Sequence, residues 1–272
     1  MQQLKQPPLV NLSRFSEEFF REVIRYHVYE YWTYFQSRLA AIYIGGSVHR
    51  NEAVRDISDL DLYPFIVDEF SEADRKWFSE AEQRIASKYP SANGLCPPRP
   101  VSDVLDGSQS ETDKIAYIRS QAWVHRLRYD TTLILGKNLV AELRVPNMDK
   151  EQARDYFQCV SDLVRYAAGL ETENKTDFRL PEALPRRLRK LARLAVLSGA
   201  YLLIGYGELY SFKGVDVLPS LKSRFPHWRA FLEETETLYI SPDPAATDSK
   251  ISTYLSQLVS WVDWVGEQLS MP

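Results

Sequence analysis

Apolar residues recur at three- and four-residue intervals from Phe15 to about Arg38, where Phe19, Phe20, Val23, Ile24, His27, Tyr31, Tyr34 and Phe35 fall on one side of a helix. Ser16, followed by Glu17 and Glu18, offers a capping oxygen and negative charge at its start. The run Leu39 to Ile44 is apolar without interruption and closes on Gly45 and Gly46, which suits a buried strand feeding a tight turn. A second strand is expected over Leu60 to Val67 and a third over Pro100 to Leu105. Between them Ala73, Trp77, Ala81, Ile85 and Ala86 mark a helix over Glu72 to Tyr89, followed by a Pro- and Gly-rich loop from Pro90 to Arg99. Thr112 to Arg128 reads as a further helix, and Leu133 to Gly136 as a short edge strand or strand-like turn.

From Glu151 onward only the helical period remains. Phe157, Val160, Leu163, Val164 and Ala167 mark one helix, Leu184 to Ile204 a second, and Ile251, Leu255, Leu258, Val262, Val265 and Leu269 a last one. Strands in the first half and helices in the second predict an α+β protein, a small mixed-sheet domain followed by an α-helical bundle. The change of pattern near Arg144 to Asp149 divides the chain into expected domains 1–146 and 147–272, and no internal repeat is visible.

Composition narrows the classes of function. With 272 residues, 44% of them hydrophobic, the chain can bury a sizeable core. Its 33 Lys and Arg against 37 Asp and Glu leave a net charge of -4, so no global field favours a phosphate polymer. The basic cluster Arg186, Arg187, Arg189, Lys190 and Arg193 is expected on the solvated face of its helix, opposite Leu184, Leu188, Leu191 and Leu194. Two cysteines, Cys96 and Cys159, exclude a disulfide scaffold and an ordinary Cys-based zinc site, and are expected to be structural. Met1 to Pro8 lacks the layout of a secretory signal, and the most apolar stretch, Leu194 to Gly207, is too short and interrupted to span a bilayer. A cytoplasmic protein without a membrane partner is the resulting expectation.

The candidate chemistry lies in Gly45-Gly46-Ser47 and, eleven residues later, Asp59-Leu60-Asp61. Aspartates two apart on a strand project from one face, and two hard carboxylates side by side suit Mg²⁺ carried in with a phosphorylated ligand. A Gly-Gly-Ser turn lets backbone N–H groups approach an anion, with the Ser47 hydroxyl as a further donor; a helix starting near Val48 would add its N-terminal partial charge. Transfer of a phosphoryl or nucleotidyl group between two metals usually calls for a third carboxylate. Asp103 on the expected third strand is the candidate, and Asp106 is the reserve or a general base. His49 is read as a solvent-facing turn residue, and the aromatic stripes at Tyr26 to Phe35 and Trp261 to Trp264 as packing.

Gly46-Ser47 followed by Asp59-x-Asp61 and a later strand carboxylate resembles the signature of the DNA-polymerase-β-type nucleotidyltransferases, over about Ile42 to Val67. The two-domain plan is similar to that of the aminoglycoside adenylyltransferases that modify streptomycin and spectinomycin. Leu135-Gly136-Lys137-Asn138-Leu139 looks like the segment closing the catalytic domain of that family, and Gly205 to Lys213 like the helical-domain stretch whose lysine reaches the triphosphate. The resemblance implies two Mg²⁺ ions held by Asp59, Asp61 and Asp103, and ATP or another NTP gripped by Gly45, Gly46, Ser47 and Lys213. It implies a small-molecule acceptor of the antibiotic class, seated between the domains. A protein or tRNA acceptor, or a non-catalytic nucleotide-binding protein, stands as the alternative.

Overall fold

The computed structural model describes residues 7–90, 92, 95–102, 125–142, 148–171 and 180–270. The chain separates into two compact units, Met1–Val145 and Pro146–Pro272.

The first unit is organised on four strands, β1 (Leu39–Gly45), β2 (Leu62–Ile66), β3 (Arg99–Pro100) and β4 (Thr131–Gly136), in the order β3-β2-β1-β4. β1 runs antiparallel to both β2 and β4, whereas β2 and β3 are parallel, so the sheet is mixed. Alternation along β1 and β2 sorts their side chains between two cores. Ile42, Ile44, Leu62 and Ile66 join Val23, Ile24, Val28, Tyr31 and Phe35 of α1 (Glu18–Phe35) and Ala81 and Ile85 of α3 (Glu72–Lys88). Ala41, Tyr43, Tyr63 and Phe65 instead pack with Leu127 and Leu139 on the opposite face. Between β1 and β2 the chain makes the single helical turn α2 (Gly46–His49).

Local chemistry sets the helix ends. Ser71 and Asp74 form a reciprocal capping box at the start of α3, while Arg38 donates to both Asp74 oxygens at 2.9 Å. α1 begins at Glu18 with no side-chain cap, contrary to the expectation for Ser16; Glu18 instead receives Arg21 and Arg25. His27 of α1 is fully buried, its Nδ1 lies 2.8 Å from the Val23 carbonyl oxygen, and desolvation drives its pKa down to about 4. The third strand is shorter than the apolar run implied, with Val101 and Ser102 already outside it.

The second unit is helical throughout its described residues: α4 (Lys150–Ala167), α5 (Leu184–Gly205), α6 (Gly214–Arg224), α7 (Arg229–Ile240) and α8 (Asp248–Ser270). α5 is central and packs against each of the other four. Its buried polar group Ser198 accepts the Trp261 indole N–H at 2.6 Å, and Thr235 meets the Tyr254 hydroxyl at 2.9 Å, so these core hydroxyls are satisfied. Arg189 corrects the expected solvated basic face. It is buried, its Nε donates to the Tyr239 carbonyl at 2.9 Å, and its guanidinium lies over the Tyr239 ring. Helices α6 and α7 were not foreseen, because Gly214 and Pro219 interrupt the pattern of the first and exposed acids dilute that of the second. Among the described residues no helix is long and apolar enough to cross a membrane.

Candidate active site

β1 ends at Gly45, whose N–H donates to the Asp61 carbonyl at 3.0 Å and ties the glycine turn to the acidic segment. Gly46 follows with φ +65, and a Cβ there would collide with the Asp61 carboxylate. Both facts demand glycine, the first for the left-handed backbone and the second for space. A Cβ on Gly45 would likewise press into the Tyr63 ring. Gly46→Ala is expected to destabilise the fold by about 1–3 kcal/mol through backbone strain. A thermal melt of the variant against wild type measures that loss.

α2 starts at Gly46, two residues before the expected Val48, and Ser47 lies buried within it. The first backbone N–H groups of such a turn have no acceptor inside it, which leaves them suited to an anion. The turn is locked from behind by Arg50, 5% exposed, whose Nη1 donates to the two oxygens of Asp130 at 2.6 and 2.8 Å and whose Nε donates to Glu52 at 2.9 Å. His49 is half-buried rather than solvent-facing, with Nδ1 2.8 Å from the Thr132 hydroxyl. Asp130 and Thr132 stand at the head of β4, so two side-chain contacts pin α2 to that strand.

Asp59 and Asp61 precede β2 rather than lie on it. Leu60 and Leu62 enter the helix-covered core. Asp61 is half-buried and Asp59 exposed. Burial first, and the neighbouring Asp59 charge second, push the Asp61 carboxyl up to about 6, against the opposing pull of Arg126 and Arg50. Arg126, in the helical turn 125–129, places its guanidinium 5.2 Å from the centre of the Tyr63 ring. Cys96 is a free, half-buried thiol whose pKa is raised by burial and then by Asp61 and Asp59, to about 12. Its carbonyl accepts the Tyr31 hydroxyl at 2.7 Å.

The structure therefore brings Gly45, Gly46, Ser47, Asp59 and Asp61 into one neighbourhood. Asp103 and Asp106 lie outside the described residues, and among the described residues no group of three or more His, Cys, Asp or Glu is placed to hold a metal ion. Lys213 is exposed immediately before α6, its carbonyl accepting from the N–H groups of Asp216 and Val217 at 3.1 and 3.0 Å. Arg50, Asp130 and Arg126 escaped the sequence reading. A buried pair between positions 50 and 130 has no local signature, although an aspartate at the head of the threonine-rich strand Thr131-Thr132 was a visible oddity.

No family model and no curated protein matches the chain. Among solved structures it is similar to a spectinomycin adenyltransferase from Enterococcus faecialis, determined with ATP and spectinomycin. The TM-score is 0.55 at 11% identity, over 92% of this chain and 99% of that one. The likeness is one of fold, which in this chain is α+β, a mixed sheet with helices followed by helices alone.

Proposed function

We propose that this protein is a nucleotidyltransferase that moves a nucleoside monophosphate, AMP from ATP, onto a hydroxyl of a small-molecule acceptor and releases pyrophosphate. The observation that carries the reading is the packing of the Gly46 backbone directly against the Asp61 carboxylate, which puts an anion-binding turn and an acidic pair at one point. The shared fold with an ATP- and spectinomycin-bound adenyltransferase supports the same class of chemistry and an acceptor such as an aminoglycoside.

The acidic pair fits divalent cations. Its two carboxylates are hard oxygen donors, and the burial and, second to it, the Asp59 charge that raise Asp61 to about 6 disfavour a bare carboxylate that a bound dication would stabilise. Two Mg²⁺ ions held by Asp59 and Asp61, with Asp103 completing the set, would supply charge neutralisation at the transferring and leaving phosphates. The chain's own groups do the rest. The backbone N–H groups from Gly46 onward and the Ser47 hydroxyl grip the phosphates, Gly45 gives the turn its close approach, and Asp106 is assigned the proton of the incoming hydroxyl. Lys213 is assigned to the triphosphate. Its place before α6 suits that role, because a cation is disfavoured at a helix N-terminus unless an anion joins it. Residues 1–146 form the catalytic domain and 147–272 the substrate-binding domain, and two cysteines that are not joined in a disulfide fit a reducing cytoplasm.

Incubation with α-labelled ATP and Mg²⁺, against spectinomycin, streptomycin, tRNA and cell lysate, tests the reading. Label should appear on an aminoglycoside with release of pyrophosphate. Label on tRNA or protein would overturn the acceptor class, and no transfer to any member would overturn the activity.

A further inference from the structure

Residues 10–16 run from the edge of the sheet to the glycine turn, and hydrogen bonds hold them at both ends. The Val10 N–H donates to the Ile134 carbonyl at 2.8 Å and the Asn11 Nδ2 to the Leu133 carbonyl at 3.0 Å, so the segment is tied to the edge strand β4. A 3₁₀ turn over Leu12–Arg14 then leads to Asn51. Asn51 donates through Nδ2 to the Arg14 carbonyl at 3.1 Å and accepts the Ser16 N–H on Oδ1 at 3.3 Å, so one amide side chain spends a donor and its acceptor on the same segment.

Asn51 is also bonded into the turn itself. Its own N–H donates to the Val48 carbonyl at 3.1 Å, and the following N–H, that of Glu52, donates to the Ser47 carbonyl at 2.9 Å. Phe15, Ser16, Phe20, Val48 and Asn51 are among the residues around a cavity of about 10 Å³, room for no more than about one water, so little slack separates the segment from the turn. Such ties matter because a single helical turn such as α2 is not stable alone, and its N–H groups keep a fixed direction only through outside contacts.

We propose that Asn51 is a positioning residue of the nucleotide site, fastening the glycine turn to residues 10–16 and through them to β4, so that the turn keeps the shape that grips the triphosphate. This rests on the nucleotidyltransferase reading and adds to it a residue that acts through the turn. Arg50 and Asp130 already tie α2 to the head of β4, and Asn51 makes a second, separate link from the turn to the same strand. Both asparagines of that link, Asn11 and Asn51, have φ 57, in the left-handed region that asparagine tolerates and glycine adopts without penalty. Glycine at either position therefore removes the side-chain bonds and leaves the backbone path intact.

Asn51→Gly frees the turn from the segment, and Asn11→Gly frees the segment from β4. Amide exchange over residues 46–51 should rise at least about threefold in each variant, with α3 and α5 unchanged. Titration calorimetry with a non-hydrolysable ATP analogue and Mg²⁺ should show binding about fivefold weaker for Asn51→Gly and about threefold weaker for Asn11→Gly. Asn51→Asp, which keeps the acceptor for Ser16 and loses the donor to Arg14, should fall between Asn51→Gly and wild type. The double glycine variant should bind no more weakly than Asn51→Gly, because a segment already released from the turn no longer transmits its hold on β4. In the labelled-transfer assay the losses should fall on KM for ATP, with kcat within about twofold of wild type. Losses that multiply in the double variant, unchanged affinity in Asn51→Gly, or exchange that quickens equally in α3 would make the bridge a general support of the fold and overturn the proposal. Failure of the wild type to bind the analogue, with the local exchange pattern as expected, would overturn the nucleotide reading and the assignment with it.

Discussion

Asp61→Asn is expected to abolish transfer and stabilise the protein at the same time. Losing one carboxylate of the acidic pair should lower the rate about 10³-fold or more, equivalent to about 4 kcal/mol of transition-state stabilisation. The gain in stability follows from the raised pKa. Asp61 titrates near 6 in the fold against an ordinary value of 3.8, so at neutral pH the folded protein holds a carboxylate that its surroundings disfavour. Each pKa unit corresponds to about 1.4 kcal/mol, and for a half-buried group the relief amounts to about 1–3 kcal/mol. That should raise the melting temperature of the metal-free protein by about 2–10 °C.

The sign of the pH dependence is specific. A carboxyl whose folded pKa is raised binds its proton more readily in the native state, so the wild type gains stability as pH falls through about 6 toward 3.8. The advantage of Asp61→Asn is therefore full above pH 7 and disappears below about pH 4. His27 acts in the opposite sense. Its folded pKa is lowered to about 4 from 6.5, so the neutral buried imidazole costs stability as pH falls through that window in both proteins. Melts of the two proteins across pH 4 to 8 should converge at the acid end. A variant less stable than wild type at pH 7.5 would show that Asp61 serves the fold rather than a ligand.

The second large effect is expected at the buried ion pair behind the glycine turn. Asp130 is 4% exposed and Arg50 5%, and Arg50 pairs with both Asp130 and Glu52 within one enclosed group. Breaking such a pair from one side leaves a buried charge without its partner, at about 3–5 kcal/mol. Asp130→Asn and Arg50→Met should each lower the melting temperature by about 6–20 °C. Transfer should fall in the molecules that remain folded, because α2 loses its anchor to β4. The double variant Arg50→Met/Asp130→Leu removes both charges and should recover much of the stability. Recovery of stability without recovery of transfer is the expected split. Losses that merely add in the double variant would mean that the pair does not hold the turn.

What the sequence made legible, and what it hid, follows from how local each signal is. β1, α1, α3 and the long helices α4, α5 and α8 announce themselves through one period sustained over many residues. Asp59-Leu60-Asp61 and Gly45-Gly46-Ser47 stood out as candidates because a metal site and a phosphate site each call for a fixed short spacing, and the structure sets the two segments side by side. The direct contact of Gly46 with Asp61 was not readable, since it depends on the antiparallel register that sets Gly45 against Asp61. Arg189 misled for a physical reason. A guanidinium can be buried when its donors and flat face find partners, here the carbonyl and ring of Tyr239, and neither partner is visible from the run of basic residues around it. β3 was overextended because an apolar run such as Pro100 to Leu105 does not reveal where pairing stops.

Calorimetry of ATP binding with and without Mg²⁺, on the wild type and on Asp59→Asn/Asp61→Asn, tests the acidic pair most directly. Wild-type protein should bind ATP in Mg²⁺, lose at least about tenfold in affinity when EDTA replaces the metal, and bind no better than this in the double variant under either condition. Binding of equal strength with and without metal, or unchanged by the double substitution, would contradict a cation-mediated nucleotide site at the glycine turn.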